Sequence, residues 1–328
     1  MRAFSYASPT RKEEVAGLLG TRWGEVEILA GGTDLLSLMK DEITTPRRLV
    51  NIKQVAGIHA ISNEAGGALH IGALATLDQI SKASDVQHRF PMLASATGDA
   101  ASPQIRNMAT IGGNLCQRPR CWYFRTGHGL LAQDKNGKSL VLEGDNRYHA
   151  ILGNDGPAYF VSPSTIAPVL IAYGARLRIQ GPRGSREVPV EKFFVIPKSE
   201  GEREHDLQPN EFITDVIVPP ATGVRAAHYE VRQKEAFDWP YATAAVALKM
   251  NGSTVQSARV VMGHVAPIPW LSAEAAQALQ GKAVTQATAD AAAQAAVAKA
   301  KSLGRNAAKI HLARVAVKRA ILKAGGAA

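Results

Sequence analysis

The chain has 328 residues and a formal net charge of +10. Hydrophobic residues make up 46% and charged residues 20%, an ordinary globular balance that excludes a disordered chain, a collagen and a coiled-coil rod. At roughly 150 residues per domain the length predicts two or three domains, and no run of about 18 uninterrupted apolar residues marks a membrane span.

Ser8-Pro9 has the pattern of an N-cap followed by proline at the first helical position, and Thr10 to Leu19 is expected as a helix closed by Gly20. Val26 to Leu29 is a short strand that runs into Ala30-Gly31-Gly32-Thr33-Asp34, and Leu35, Leu36, Leu38 and Met39 predict a helix beyond. Leu49 to Ile52 is a second strand. Strand, glycine turn, helix and strand make a βαβ unit, hence a small parallel sheet. Leu69 to Gly72 is a further strand, Thr76-Leu77-Asp78-Gln79 is a capping box, and Pro91 to Ala101 is a helix rich in small residues. From 126 to 157 the pattern is loop-like. Ser162-Pro163-Ser164 opens a helix through Tyr173, and Arg176–Gln180 with Arg186–Val190 reads as a hairpin. Phe212–Val218 is a strand that ends at Pro219-Pro220, and Pro219 to Gly223 is a linker-like break. Beyond it, Thr243–Met250 and Thr254–Gly263 flank Asn251-Gly252, a strong hairpin signal. From Ser272 onward the alanine-rich sequence predicts about three helices. No internal repeats are visible.

Two cysteines, Cys116 and Cys121, are too few for a disulfide framework or a four-cysteine metal site. The first residues, Met1 to Pro9, lack an apolar segment of secretory type. A cytoplasmic location is therefore expected, or a periplasmic one if a signal-bearing partner carries the chain across. The basic excess is concentrated late: after Asp290 come Lys299, Lys301, Arg305, Lys309, Arg314, Lys318, Arg319 and Lys323 with no acidic residue. No aromatic residues interleave these charges, so nucleic acid is not an expected partner. Ile310, Ala313, Val317, Ala320 and Ile321 form an apolar stripe at helical spacing. The helix from about Asn306 to Lys323 is expected to dock on a partner or on the chain's own N-terminal part, with its charges mostly off the stripe.

Two glycine motifs stand out. The first runs over Ile28, Leu29, Ala30, Gly31, Gly32, Thr33, Asp34 and Leu35; the second is Thr110, Ile111, Gly112, Gly113 and Asn114. Glycine turns let backbone approach a ligand closely and aim successive N–H groups at phosphate oxygens. Either alone reads equally as a tight turn. Neither matches the Rossmann or P-loop spacing. Both loops are expected to offer unpaired N–H donors to a diphosphate.

Together, the two motifs resemble the FAD-binding medium subunit of the molybdenum hydroxylases, the xanthine dehydrogenase and carbon monoxide dehydrogenase group. The resemblance covers nearly the whole chain and includes Arg106-Asn107-Met108-Ala109 and Glu211-Phe212-Ile213. It implies an α+β protein: a two-lobed FAD-binding fold of the vanillyl-alcohol oxidase (PCMH) type plus a C-terminal α+β domain. The expected boundaries are 1–220, with lobes of about 1–58 and 59–220, and 224–328. FAD would lie between the lobes, non-covalently, with its pyrophosphate on the first loop and the second loop packed on it.

A closer likeness, to the aldehyde oxidoreductase and 4-hydroxybenzoyl-CoA reductase FAD subunits, rests on Gln117 to Arg125 and Glu143 to Ala150. Those relatives hold a [4Fe–4S] cluster on an inserted loop. Here no cysteine follows Cys121 in that loop, and such a cluster takes four thiolates. The loop is expected to be kept and the cluster lost, leaving Cys121 a reduced, unliganded thiol. A second departure is Thr165, which stands where relatives carry an aspartate on the FAD ribose. Arg232 falls near a basic residue that some relatives place by the flavin; an exposed strand residue is the plain alternative. His128 and His149 are expected as surface or loop histidines. Arg118, Arg120 and Arg125 suggest either a carboxylate-paired loop or charge compensation beside a flavin.

No Ser-His-Asp arrangement or acidic pair suggests hydrolysis, and no residue of this chain is expected to be catalytic. The resemblance implies an electron-transfer flavoprotein in a heterotrimer. A large molybdenum-cofactor subunit would oxidise the substrate and a small subunit with two [2Fe–2S] clusters would relay electrons. The alternatives are a stand-alone FAD oxidase and a flavin-free scaffold.

Overall fold

A computed structural model of the chain describes residues 1–64, 66–233 and 238–327. Three sheets organise it. The first is parallel, β1 (Ser5–Ala7), β2 (Val26–Leu29) and β3 (Arg48–Asn51) in the order β1-β3-β2. The expected βαβ unit is present: β2 leads into the helix Leu35–Lys40 and the chain returns as β3 beside it. β1 is a strand the sequence does not announce, since three residues carry no periodicity. The helix expected from Thr10 starts at Lys12. Ser8 is not its cap, because the Ser8 hydroxyl accepts from Asn51 Nδ2 at 3.3 Å and ties the N-terminus to β3 instead.

The second sheet is antiparallel: β4 (Ile61–Asn63), β5 (Leu69–Gly72), β6 (Arg176–Gly181), β7 (Gly184–Pro189) and β8 (Phe212–Val218), in the order β4-β5-β8-β6-β7. β8 is central and buried on both faces, and the two polar residues in its middle are satisfied: Asp215 pairs with His70 at 2.8 Å and accepts from the Thr214 hydroxyl at 2.7 Å. The capping box forms as expected: Thr76 N–H donates to Gln79 Oε1 at 2.9 Å and Gln79 N–H to Thr76 Oγ1 at 3.2 Å. It starts the helix Leu77–Lys82. The helix Ile166–Tyr173 is buried along its whole length.

The third sheet, also antiparallel, comprises β9 (Val224–Val231), β10 (Ala242–Asn251), β11 (Thr254–Gly263) and β12 (Trp270–Leu271), in the order β12-β11-β10-β9. Successive side chains on a strand point to opposite faces. Ala244, Val246 and Leu248 join one core with the C-terminal helices, while Ala245 and Ala247 join the core of the helix Ile166–Tyr173. With helices on both faces, the first seven residues of β10 are all buried. The hairpin turn lies one residue later than expected. Asn251 pairs with Thr254, so Gly252, at φ +58°, and Ser253 make the turn. A register shift between Lys249 and Met250 accompanies it.

The three C-terminal helices are Ala273–Leu279, Gln286–Ala296 and Ala307–Gly325. The last corrects the docking expectation. Its stripe of Ala313, Val317, Ala320 and Ile321 is buried against the chain's own third sheet, with Ile310 half-buried at its edge. One charge is not off the stripe. Lys309 is buried, its Nζ donating to the carbonyls of Tyr148 at 2.7 Å and His149 at 3.0 Å. Among the described residues, no helix is long and apolar enough to cross a membrane.

Candidate functional site: a cleft between two glycine loops

The first glycine loop joins β2 to the helix Leu35–Lys40 at the edge of the parallel sheet. The second lies across the start of a short helix, Ile111–Cys116, beside the antiparallel sheet. The structure brings them together. A Cβ built on Gly31 would stand 1.8 Å from the Met108 carbonyl oxygen, so only glycine lets the first loop lie on the backbone that leads to the second. Gly32 sits at φ +74°, in the left-handed region. Between the loops opens a cleft of about 840 Å³ whose wall includes Ile28, Ala30 to Leu35, Thr110, Gly112 and Gly113. Leu29 lies behind that wall, its carbonyl accepting from Ile52 N–H at 3.1 Å, and Ile111 is fully buried beneath it.

The two loops offer different chemistry. The N–H groups of Gly31, Gly32, Thr33 and Asp34 donate to no other described residue. The expectation that both loops carry free donors is corrected at the second. There Ile111 N–H donates to Ala75 O, Gly112 N–H to Ala73 O, Gly113 N–H to Thr110 Oγ1 and Asn114 N–H to Thr110 O, at 2.8–3.1 Å. The second loop is therefore a close-fitting wall rather than a set of donors. Asn114 braces it from behind, its Oδ1 accepting from Ser164 Oγ at 2.6 Å.

Asp34 anchors the first loop. Its carboxylate accepts from Arg118 N–H at 2.8 Å and Arg125 Nη2 at 2.7 Å, and pairs with Arg120 at 3.0 Å. Arg118 in turn pairs with Glu204 at 3.0 Å. The arginine cluster is thus the carboxylate-paired loop of the two readings. Burial pushes Glu27, on the cleft wall, up to about 7, although it pairs with Arg203 at 3.2 Å. His205 on the same wall is pulled down to about 3 by burial, and its Nδ1 has no partner among the described residues.

The cleft fits a dinucleotide. It has the volume, a row of unpaired N–H donors at a loop where backbone can approach a ligand, and an orphaned polar atom on its wall. Thr165 and Arg232 do not border it. Thr165 is buried as the residue that precedes the helix Ile166–Tyr173, and its neighbour Ser164 makes the contact to the second loop. Arg232 pairs with Glu230 and donates through Nη2 to the Asp99 carbonyl at 2.8 Å. His128 is exposed, as expected for a loop histidine. His149 is not a surface residue: it is buried, with its Nε2 3.1 Å from Cys121 Sγ. Cys116 and Cys121 are both free thiols.

A parallel βαβ lobe and an antiparallel lobe that face each other across such a cleft define a dinucleotide-binding protein. Residues 2–221 match the family model described as the FAD binding domain in molybdopterin dehydrogenase, and residues 227–324 match the CO dehydrogenase flavoprotein C-terminal domain. The chain is 32% identical to the aldehyde oxidoreductase FAD-binding subunit PaoB of Escherichia coli, over 86% of this chain and 87% of that one. It is 30% identical to the carbon monoxide dehydrogenase medium chain of Hydrogenophaga pseudoflava, over 90% of this chain and 86% of that one. The solved carbon monoxide dehydrogenase from Hydrogenophaga pseudoflava superposes with a TM-score of 0.78 at 29% identity, covering 99% of this chain and 98% of that one. The reconstituted enzyme from Oligotropha carboxidovorans gives 0.77 at 26% identity, covering 100% and 99%. The chain belongs to the FAD-binding subunits of the molybdenum hydroxylase family, a family of oxidoreductases.

Proposed function

We propose that this chain is the FAD-carrying electron-transfer subunit of a molybdenum hydroxylase complex. In this reading a large subunit holds the molybdenum cofactor and oxidises the substrate. A small subunit with two [2Fe–2S] clusters relays the electrons, and this chain delivers them to an external acceptor. Relatives named as medium chains and FAD-binding subunits support the assignment. The observation that carries its FAD part is the close approach of the two glycine loops, with the N–H donors of Gly31 to Asp34 free at the junction; the role in a complex is supported by the relatives alone.

The chain's own residues have defined tasks. Gly31, Gly32, Thr33 and Asp34 present backbone donors to the diphosphate of FAD. Thr110, Gly112 and Gly113 form the opposite wall. Asp34, clamped from behind by Arg118, Arg120 and Arg125, fixes the loop's orientation with its carboxylate already satisfied. FAD, when bound, supplies a ring that takes up and releases electrons singly or in pairs. Attachment is non-covalent: burial pushes the Cys116 thiol up to about 12, which leaves it a poor nucleophile. Cys121 stays a thiol beside His149 rather than a cluster ligand. The flavin part spans 1–220 and the C-terminal domain 224–328, and the complex works in the cytoplasm, or in the periplasm if a partner carries the signal.

Affinity purification of the tagged chain from its native host tests the assembly. Two co-purifying subunits, one bearing molybdenum and one bearing two [2Fe–2S] clusters, are expected. Turnover by the chain alone would favour a stand-alone oxidase, and a colourless chain a scaffold.

A further inference from the structure

Two segments on the wall of the dinucleotide cleft come from different parts of the chain and are tied to each other. One is the start of the inserted loop, where Gly127, Gly129 and Leu130 line the cleft. It lies beside the parallel lobe: a Cβ built on Gly127 would be 4.0 Å from the Ile43 side chain. The other is a strap, residues 198–205, that follows the short helix Val190–Phe193 of the antiparallel lobe and places Glu200, Gly201, Glu202 and Arg203 on the same wall.

One side chain joins them. Glu200 Oε2 accepts from Leu130 N–H at 2.6 Å and Oε1 from Leu131 N–H at 2.7 Å. Among the described residues these two are the hydrogen bonds between segments 126–134 and 197–202. A Cβ on Gly129 would stand 2.8 Å from both carboxylate oxygens, so glycine is what lets the carboxylate reach its seat.

The two sides of this joint differ in how firmly they are held. Leu130 and Leu131 are buried in a small core with Ala158 and Phe160. The far end of the strap is anchored as well: Arg203 pairs with Glu27 on β2 at 3.2 Å and lies over the Trp23 ring at 4.8 Å, and Glu204 pairs with Arg118 at 3.0 Å. Between these anchors Lys198 to Glu202 are all exposed, and nothing lies within 4 Å of a Cβ built on Gly201. Segments with few packed contacts open locally at far lower cost than core elements. The tip of the strap is thus the part of the wall that parts first, and two hydrogen bonds to a charged group, the stronger kind, hold it.

We propose that Glu200 is the latch of the flavin cleft: its carboxylate, seated on the Leu130 and Leu131 N–H groups, keeps the strap closed on the bound dinucleotide, and FAD leaves when that seat is vacated. The proposal rests on FAD as the occupant of the cleft. It gives the inserted loop a task that needs no iron–sulfur cluster. It also fixes the sign of an effect. Glu200 is a carboxylate on the wall of a site for a diphosphate, so on Coulomb grounds alone removing its charge tightens the hold on FAD. For a latch, removing it loosens the hold.

Release of isotope-labelled FAD from the full chain, chased with excess unlabelled FAD, tests the latch. Glu200→Ala should speed release by about tenfold, the equivalent of one charge-assisted hydrogen bond. Glu200→Gln keeps an acceptor oxygen and should change release in the same direction by less. Glu202→Gln neutralises a neighbouring carboxylate on the same wall, one that accepts from Lys198 N–H within the strap at 2.7 Å; release should stay within about twofold of native or slow down. The flavin-free melting temperature should remain within about 2 °C of native in all three variants. Release from Glu200→Ala at the native rate or more slowly would overturn the latch. Equal acceleration by Glu202→Gln would do the same, as would faster release that comes only with a larger fall in flavin-free melting temperature. A native chain that takes up no labelled FAD would overturn the flavin reading itself, and the latch with it.

Discussion

Replacing Gly31 by alanine separates the role of the loop junction from that of the cleft surface. The new methyl group would stand 1.8 Å from the Met108 carbonyl oxygen and 2.7 Å from its carbon. An ordinary contact is about 3.5 Å, so two backbone segments must part by roughly 1.7 Å. Neither partner is a flexible side chain that can swing away. Overpacking of this kind costs about 1–3 kcal/mol, and a backbone clash belongs at the upper end. For a chain of 328 residues ~3 kcal/mol lowers the melting temperature by roughly 4 °C. The same parting misaligns the free donors of Gly31 to Asp34, so flavin is lost as well. Gly113→Val is the contrast. There a Cβ meets only Thr110 Oγ1, at 3.0 Å, and the rest of the side chain enters the cleft. Its melting temperature without flavin should stay within about 2 °C of the native chain, while flavin retention falls. Differential scanning fluorimetry and the flavin-to-protein absorbance ratio read both effects. A Gly31→Ala chain with native melting temperature and full flavin would refute the reasoning.

Glu27 gives a pH signature. Its folded-state value is raised to about 7 from 4.5. The folded chain therefore keeps a proton that the unfolded chain has released, and the associated stability, complete below about 4.5, is lost as pH rises through 7. Glu27→Gln should gain in melting temperature relative to the native chain between about pH 5 and 8; parallel curves would exclude the effect. Ending the chain at Gly304 removes the helix Ala307–Gly325, whose buried face completes the core of the third sheet, so the shortened chain should lose its cooperative melting transition. Iron and acid-labile sulfide should both be absent from the isolated chain, with no EPR signal after dithionite apart from a flavin radical. About four irons per chain would show that the inserted loop holds a cluster.

Where the sequence carried a local pattern, the fold followed it. The βαβ unit, the capping box at Thr76 and the strand Phe212–Val218 need only neighbouring residues to be read. The misses depend on distant partners. Ser8 looks like a cap until Asn51 takes its hydroxyl. The second glycine loop looks like a row of donors until Ala73 and Ala75 accept its N–H groups. Asp34 belongs to a glycine motif by sequence, but its three arginine contacts come from residues 118–125. His149 carries no local sign of burial; Lys309 and Asn306, far along the chain, hold the backbone around it. The C-terminal stripe was legible as an apolar face, but nothing in its spacing says which surface covers it.

The central claim is that the cleft between the glycine loops holds FAD without a covalent bond. Acid precipitation of the freshly purified chain, followed by chromatography of the supernatant, tests it most directly. The account predicts a colourless pellet and about one FAD per chain in solution, falling sharply in Gly31→Ala. A yellow pellet, FMN in place of FAD, or a chain purified without flavin that takes up none when FAD is added would contradict it.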